Sequence, residues 1–146
     1  MTISNIEKSR TAVILCGGRG TRLGSITRKI PKSLVKIKGK PIMWYILKSL
    51  KRNGFNQFIL PIGYKGGLIS KYLKNKDFKN YDLKIMPTGV NSTIAKRILS
   101  IKKFIKSENF ILLNGDAIFD FNLNKIYNDH NKDKKTFITF IGSETN

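Results

Sequence analysis

The sequence predicts an α/β fold built on a doubly wound, mostly parallel sheet. Two observations support this prediction. Short apolar runs alternate along the chain with segments whose apolar residues recur at helical spacing. The segments between successive apolar runs are also long enough to hold the crossover helices that parallel strands require. Together the two observations predict a series of βαβ units.

The first strand and the first helix have clear boundary signals. Residues 11–16 form an apolar run that ends in glycines, which is typical of a buried strand. Residues 41–53 predict a helix, because Pro41 suits its first turn and Gly54 lies just past its end. The chain therefore opens with a strand, a loop and a helix.

The next three elements repeat this alternation. Residues 57–62 predict a strand, although Pro61 weakens its last part because proline donates no ladder hydrogen bond. Residues 66–74 predict a helix with an apolar face, and residues 81–86 predict a further strand.

The last third of the chain adds two helices and two strands. Residues 92–106 predict a helix, because four isoleucines recur there on one face. The predicted elements that follow are a strand at 109–113, a helix at 123–130 and a strand at 136–141. Strands separated by helices of this length predict a Rossmann-like sheet covered on both faces.

The chain length suits one domain. Residues 1–10 are polar and are predicted to form a loose arm, whereas residues 11–146 are predicted to form the folded domain. No helix follows the strand predicted at 136–141, so we expect a fold that is incomplete at its C-terminal end.

The composition of the chain indicates where the protein is located and which classes of partner it binds. No run of about 18 apolar residues exists and no signal-peptide pattern opens the chain, so we expect a cytoplasmic protein without membrane contact. The formal net charge of +19 would attract anions. The lysines are spread along the whole chain, however, and no aromatic residues interleave a basic face, so no specific nucleic-acid partner is expected.

The sharpest local motif is LCGGRGTRL at residues 15–23, directly after the first strand. Ligands bind beyond the carboxyl ends of strands in open parallel sheets, and glycines let the backbone N–H groups approach an anion. The motif lacks the lysine of a Walker A loop and carries Leu23 where a dinucleotide fingerprint needs glycine. Two arginines and a threonine among three glycines nevertheless favour phosphate binding over a simple turn. The candidate phosphate-binding residues are Leu15, Cys16, Gly17, Gly18, Arg19, Gly20, Thr21 and Arg22.

A second basic element, Pro31-Lys32, follows about ten residues later, and we expect Lys32 to reach the same phosphates. Part of this sequence resembles the signature of nucleoside-diphosphate-sugar pyrophosphorylases, which are the sugar-1-phosphate nucleotidyltransferases. The resemblance covers residues 17–23, Thr27, Pro31-Lys32 and residues 39–42. The resemblance implies their nucleotide-diphospho-sugar transferase fold. It also implies transfer of a nucleoside monophosphate from an NTP to a hexose-1-phosphate, with release of pyrophosphate.

Three further segments resemble the glucose-1-phosphate cytidylyltransferases of this family, namely residues 63–66, residues 88–92 and Arg97. The resemblance implies CTP as the favoured nucleotide and nucleotide contacts from Thr88, Gly89, Ser92, Arg97 and Gly115. Residues 94–96 are Ile-Ala-Lys where the family carries threonine-glycine-glycine, so UTP, dTTP, ATP and GTP stay open.

The candidate metal ligand is Asp116, which follows Gly115 at the end of the strand predicted at 109–113. In the resembled family a Gly-Asp pair at this place holds a metal-binding aspartate. Mg²⁺ prefers oxygen ligands and is commonly held by one or two carboxylates together with substrate phosphates. Cys16 is interpreted as small and buried and not as a nucleophile.

The resemblance assigns Arg22 to the β- and γ-phosphates, Lys32 to the α-phosphate and the incoming phosphate, and Asp116 to Mg²⁺. It also implies a second metal-binding aspartate and a sugar-binding region farther along the chain. A second copy or a complementing C-terminal part is therefore an expected partner. Two alternatives remain: a catalytically impaired nucleotide-binding or regulatory fragment, and a nucleotidyltransferase for a non-sugar phosphate such as phosphocholine.

Overall fold

The computed structural model describes residues 9–19 and 29–142. In this part of the chain the strands are β1 (Thr11–Leu15), β2 (Lys36–Ile37), β3 (Lys40–Pro41), β4 (Gln57–Ile62), β5 (Asp82–Pro87) and β6 (Phe110–Asn114). The α-helices are α1 (Ile42–Arg52), α2 (Gly66–Leu73), α3 (Ile94–Ile101) and α4 (Leu123–Lys132). Short 3-10 turns lie at Lys32–Leu34, Lys76–Phe78 and Lys102–Phe104.

Four of these strands form one parallel sheet in the order β5-β4-β1-β6. The chain builds outward from β1 through β4 to β5 and then crosses to the other side of β1 to form β6. The strand order therefore reverses between β1 and β6, which is the topological switch point where doubly wound sheets bind ligands. The predicted doubly wound parallel sheet is confirmed. The short strands β2 and β3 form a separate antiparallel pair.

The core lies mainly on one face of the sheet. Residues of β1 and β4 pack there against the buried face of α1, which contributes Ile42, Met43, Ile46, Leu47 and Leu50. Helices α2 and α4 add to the same cluster. A smaller cluster on the opposite face contains Val13, Ile59 and Ile101. Every residue of β4 is buried, as expected for a central parallel strand covered on both faces.

Pro61 lies inside this central strand, opposite Met86 of β5. The regular pairing of β1 with β4 ends at Val13 with Ile59, and a single bridge from Cys16 to Ile62 follows. Proline has no N–H to donate, so the regular ladder is interrupted here, although the Cys16 N–H still donates to Pro61 O at 3.2 Å. The loop that follows β1 leaves the sheet at the end of this interrupted pairing.

In the last third of the chain the helix predicted at 92–106 is present with shorter bounds, and the strand predicted at 136–141 is wrong. The helix predicted at 92–106 ends at Ile101 and continues as a 3-10 turn, and Ile94 is 58% exposed at its start. Residues 136–141 form no strand, and Phe137 and Phe140 are 94% and 88% exposed. The β-branched and aromatic residues of this segment suit a strand, but a strand also needs a partner for its backbone groups, and no strand pairs with this segment among the described residues.

The last residue of the predicted N-terminal arm is anchored. The backbone N–H of Arg10 donates to Asn56 Oδ1 at 2.9 Å, and its guanidinium contacts Asn124, Asn128 and the ring of Tyr127. Residues 1–8 of the arm lie outside the described residues. None of the helices within residues 9–19 and 29–142 combines the length and apolarity needed to cross a bilayer.

Candidate functional site

A cavity of about 550 Å³ opens at the carboxyl edge of the sheet. Four separate segments line it: residues 15–19, 31–33, 90–97 and 114–116. The first and last of these follow β1 and β6, so the cavity lies at the switch point. Its volume falls within the range of about 300–1,000 Å³ that is usual for small-molecule sites.

Residues 15–19, the described part of the glycine loop at residues 15–23, form one wall of the cavity. Gly17 is buried, whereas Gly18 and Arg19 are exposed, and a Cβ atom at Gly18 would meet no atom within 4 Å. Arg19 Nη2 donates to Asn91 Oδ1 at 3.2 Å and the guanidinium lies 5.6 Å from the centre of the Tyr64 ring. The loop is therefore tied to the segment after β5. Predicted site residues Gly20, Thr21 and Arg22 lie outside the described residues.

The structure brings two of the predicted catalytic residues together. Lys32 Nζ lies 3.2 Å from Asp116 Oδ2, across 84 positions of sequence. Pro31 and the 3-10 turn at Lys32–Leu34 position the lysine, and the turn after β6 positions the aspartate. The two side chains are 27% and 36% exposed, so the ion pair contributes little to stability. Both groups remain accessible to a ligand in the cavity.

Gly115 allows the turn that presents Asp116. Its N–H donates to Leu15 O at 3.0 Å, and a Cβ atom here would lie 2.6 Å from Cys16 Sγ. Burial raises the pKa of the Cys16 thiol well above its usual range, and the charge of Asp116 raises it further. The thiol is therefore protonated at neutral pH, in agreement with its interpretation as a small buried residue.

The segment after β5 folds back onto the end of β4. Thr88 donates to Ile62 O through its N–H at 2.9 Å and through its hydroxyl at 3.0 Å. The hydroxyl of Ser92 donates to Thr88 O, so it is engaged in closing the loop. Gly89 has φ +89°, a left-handed conformation that favours glycine at this position. These contacts hold residues 90–92 against the cavity.

Arg97 lies at the floor of the cavity and is 4% exposed. Its guanidinium donates to Gly17 O at 3.2 Å and to Val90 O at 3.3 Å. It also donates to Thr88 Oγ1 at 2.6 Å and, more weakly, to Ile62 O at 3.4 Å. Burial lowers the pKa of the guanidinium, which nevertheless keeps its charge. The predicted nucleotide contact therefore has its donors directed at protein atoms.

Asp116 is the carboxylate that lines the cavity in this part of the chain. Within residues 9–19 and 29–142, no group of three or more histidine, cysteine, aspartate or glutamate side chains could hold a metal ion. A single accessible carboxylate still fits Mg²⁺, because this cation takes its other ligands from water and substrate phosphates.

Several residues that line the cavity were not among the predicted site residues. Asn114 ends β6 directly before Gly115, and the rule that ligands bind beyond strand ends could have identified it. Asn91 lies inside the segment 88–92 singled out above, but its contact with Arg19 depends on a loop crossing that the sequence does not show. Ser33 also lines the cavity, with its hydroxyl buried.

Comparison with known proteins gives a consistent result. Residues 11–146 match the family described as nucleotidyl transferase. The chain is 38% identical over 139 residues to a Bacillus subtilis protein named "Probable glucose-1-phosphate cytidylyltransferase", covering 82% of this chain and 55% of that protein. It is also 38% identical over 118 residues to the D-glycero-alpha-D-manno-heptose 1-phosphate guanylyltransferase of Campylobacter jejuni, covering 79% of this chain and 51% of that protein.

Solved structures share the fold. The crystal structure of HddC from Yersinia pseudotuberculosis complexed with GMP-PN matches with a TM-score of 0.71 at 30% identity, covering 82% of this chain and 53% of that one. A UDP-glucose pyrophosphorylase matches with the same TM-score at 19% identity, covering 85% and 54%, which shows the fold alone. The chain spans about half the length of the curated relatives it matches.

Proposed function

Since the chain belongs to the nucleotidyl transferase family, we propose that it forms the nucleotide-binding part of a magnesium-dependent sugar-1-phosphate nucleotidyltransferase. The observation that carries the proposal is the pairing of Lys32 with Asp116 at 3.2 Å in the cavity that the glycine loop lines. A cation, a carboxylate and a glycine-rich loop at one switch point are the groups that a nucleoside triphosphate requires.

In this proposal the glycine loop holds the triphosphate through its backbone N–H groups. Arg22 is assigned to the β- and γ-phosphates. Lys32 exchanges its contact with Asp116 for the α-phosphate and the incoming sugar phosphate, because these oxygens carry the larger negative charge. Asp116, released from the ion pair, would hold Mg²⁺, which when bound neutralises phosphate charge and orients the oxygens.

The reaction is an in-line displacement at the α-phosphorus. An oxygen of the sugar phosphate forms a bond to this phosphorus while the bond to the β-phosphate oxygen breaks, and pyrophosphate leaves with that electron pair. No covalent enzyme intermediate is required. The chain acts by positioning the two reactants and by neutralising charge. Loss of one such charged contact typically costs about 3–4 kcal/mol of transition-state stabilisation.

CTP is the favoured nucleotide in this proposal, and the relatives leave the alternatives open. The names of two relatives specify different nucleotides, a cytidylyltransferase and a guanylyltransferase. Ile94 stands at the rim of the cavity and is 58% exposed, so its side chain is available to contact a base. A panel of CTP, UTP, dTTP, ATP and GTP with glucose-1-phosphate, read as pyrophosphate release, tests the preference.

A matched pair of variants tests the function. We expect Lys32→Ala to lower pyrophosphate release by about two orders of magnitude or more, because it removes a charged donor from the transition state. Lys36→Ala is the control, since it removes an exposed lysine of the same segment outside this cavity. Equal rates for the two variants would contradict the assignment of Lys32.

The second candidate function is a nucleotide-binding part with little turnover of its own. The observation that favours it is that Asp116 is the one carboxylate lining the cavity among the described residues. Calorimetric binding of CTP to the purified chain without detectable pyrophosphate release would support this alternative. Robust turnover by the same preparation would exclude it.

A further inference from the structure

Arg97 is a buried cation whose ligands come from three strand ends. Gly17 follows β1, Ile62 ends β4, and Thr88 and Val90 follow β5. All four residues accept hydrogen bonds from this one guanidinium. The acceptors are three backbone carbonyls and a hydroxyl, so the group is satisfied by dipoles. None of the ion pairs found among the described residues includes Arg97.

The backbone around this guanidinium is packed too closely to accept other side chains. A Cβ atom at Gly17 would lie 2.1 Å from Arg97 Nη1. At Gly63 a Cβ atom would lie 2.7 Å from the carbonyl oxygens of both Gly17 and Gly89. The backbone after β1, at Gly17, and the backbone after β5, at Gly89, therefore come close together beside Arg97.

We propose that Arg97 is a positioning residue that holds the glycine loop and residues 88–92 in register, so that one nucleotide engages both at once. The inference rests on the proposed function for its ligand. It differs from the nucleotide contact that the resemblance implies, because the donors of Arg97 bind the protein. Two recognition segments held in fixed register bind a ligand that spans them without the cost of ordering each one separately.

The planar guanidinium is required for this role. It presents five donors in a rigid fork, whereas a lysine ammonium is a point charge on a flexible stem. Arg97→Lys therefore keeps the charge but cannot join Gly17 O to Thr88 Oγ1 and Val90 O in the same geometry. We expect Arg97→Lys and Arg97→Gln to behave alike, although only one of them retains the charge.

Hydrogen exchange measured by NMR on the purified chain tests the clamp without any ligand. The amide of Tyr64 donates to Gly17 O and the amide of Thr88 donates to Ile62 O, so both lie beside the guanidinium. In Arg97→Lys we expect these two amides to exchange about tenfold faster or more, because local opening becomes easier. Amides of β1 and β4 should keep their relative protection. Uniform acceleration of all amides, or none, would overturn the proposal.

Binding measurements separate positioning from direct contact. The probes are CTP, which in the proposed function would span both segments, and tripolyphosphate, which would engage the glycine loop alone. We expect both Arg97 variants to bind CTP about 5- to 150-fold more weakly, the usual range for coupling between sites, and to bind tripolyphosphate within about twofold of wild type. Lys96→Gln is the control, because it removes an exposed charge from the same helical turn.

The remaining outcomes are also decisive. Parallel loss of CTP and tripolyphosphate in Arg97→Gln, restored in Arg97→Lys, would make Arg97 a phosphate ligand and refute the proposal. Thr88→Val, which removes one acceptor and leaves the arginine in place, should show the same pattern with a smaller change. If wild type binds no CTP, the proposed function fails, and the exchange rates of Tyr64 and Thr88 alone confirm or overturn the clamp.

Discussion

Gly115→Ala tests whether the turn that presents Asp116 depends on close packing. The added Cβ atom would lie 2.6 Å from Cys16 Sγ and 3.1 Å from Leu15 O. Leu15 ends β1 and the buried Cys16 follows it directly, and a backbone oxygen cannot rotate away. Overpacking of this kind costs about 1–3 kcal/mol, so we expect the free energy of unfolding to fall by about that amount.

Urea denaturation followed by circular dichroism measures this change as a shift in the transition midpoint. Gly18→Ala is the matched control, because its Cβ atom would meet nothing within 4 Å and stability should stay nearly constant. The close sulfur contact also predicts coupling. In the background of Cys16→Ala the Gly115→Ala substitution should cost less, with an interaction energy of about 0.5–3 kcal/mol.

Two results would refute this reasoning. Equal midpoints for Gly115→Ala and Gly18→Ala would show that the turn relaxes without cost. Strict additivity of the Cys16 and Gly115 substitutions would show that the sulfur does not limit the space at Gly115. In the expected case the displaced turn also moves Asp116 away from Lys32, and pyrophosphate release should fall more steeply than stability.

Three further predictions concern stability and titration. Burial raises the pKa of the Cys16 thiol in the folded chain, so the stability that depends on the neutral thiol is fully present below the unfolded pKa and declines as the pH rises above it. We therefore expect the free energy of unfolding of wild type to fall above about pH 8.5. Cys16→Ala should lack this fall. Hydrogen bonds from the Thr136 hydroxyl and from backbone amides lower the pKa of the exposed Asp133 carboxyl. The stabilisation that follows is present above the unfolded pKa and is lost as the pH falls through the folded pKa. An NMR titration of Thr136→Ala should show this carboxyl pKa moving back toward its usual range. The buried hydroxyl of Thr11 donates to Gln57 Oε1 at 2.7 Å, and the same oxygen also accepts from the Lys106 N–H at 3.3 Å. Thr11→Val should therefore lower the free energy of unfolding by about 0.5–1.5 kcal/mol in urea denaturation, and no measurable change would show that this hydrogen bond contributes nothing net.

Much of the fold follows from local pattern. Local sequence pattern was enough to predict three elements: the apolar run of β1, the buried run of β4 and the periodic apolar face of α1. The observed boundaries of these elements fall within two residues of the predicted ones. The prediction failed at 136–141, where β-branched and aromatic residues suggested a strand. Periodicity reports which side chains could share a face, but it does not report whether a neighbouring strand is present to accept the hydrogen bonds.

Part of the candidate site could likewise be predicted from local sequence, and part of it could not. Lys32 and Asp116 could be identified as candidates from residue type and from their positions after a glycine loop and after a strand, because the carboxyl ends of parallel strands share one edge. Cys16 could be identified as buried, because it continues an apolar strand. These conclusions rest on chemistry and on rules of chain topology, which act over short stretches of sequence.

The role of Arg97 depended on the folded chain. Its acceptors, Gly17, Ile62, Thr88 and Val90, are up to 80 positions away in sequence and become neighbours only when β1, β4 and β5 lie side by side. The resemblance implied that Arg97 contacts the nucleotide, but the direction of a side chain depends on which acceptors surround it after folding. Hydrogen bonds between distant backbone segments leave no periodic trace in the sequence, so this contact could be found only in three dimensions.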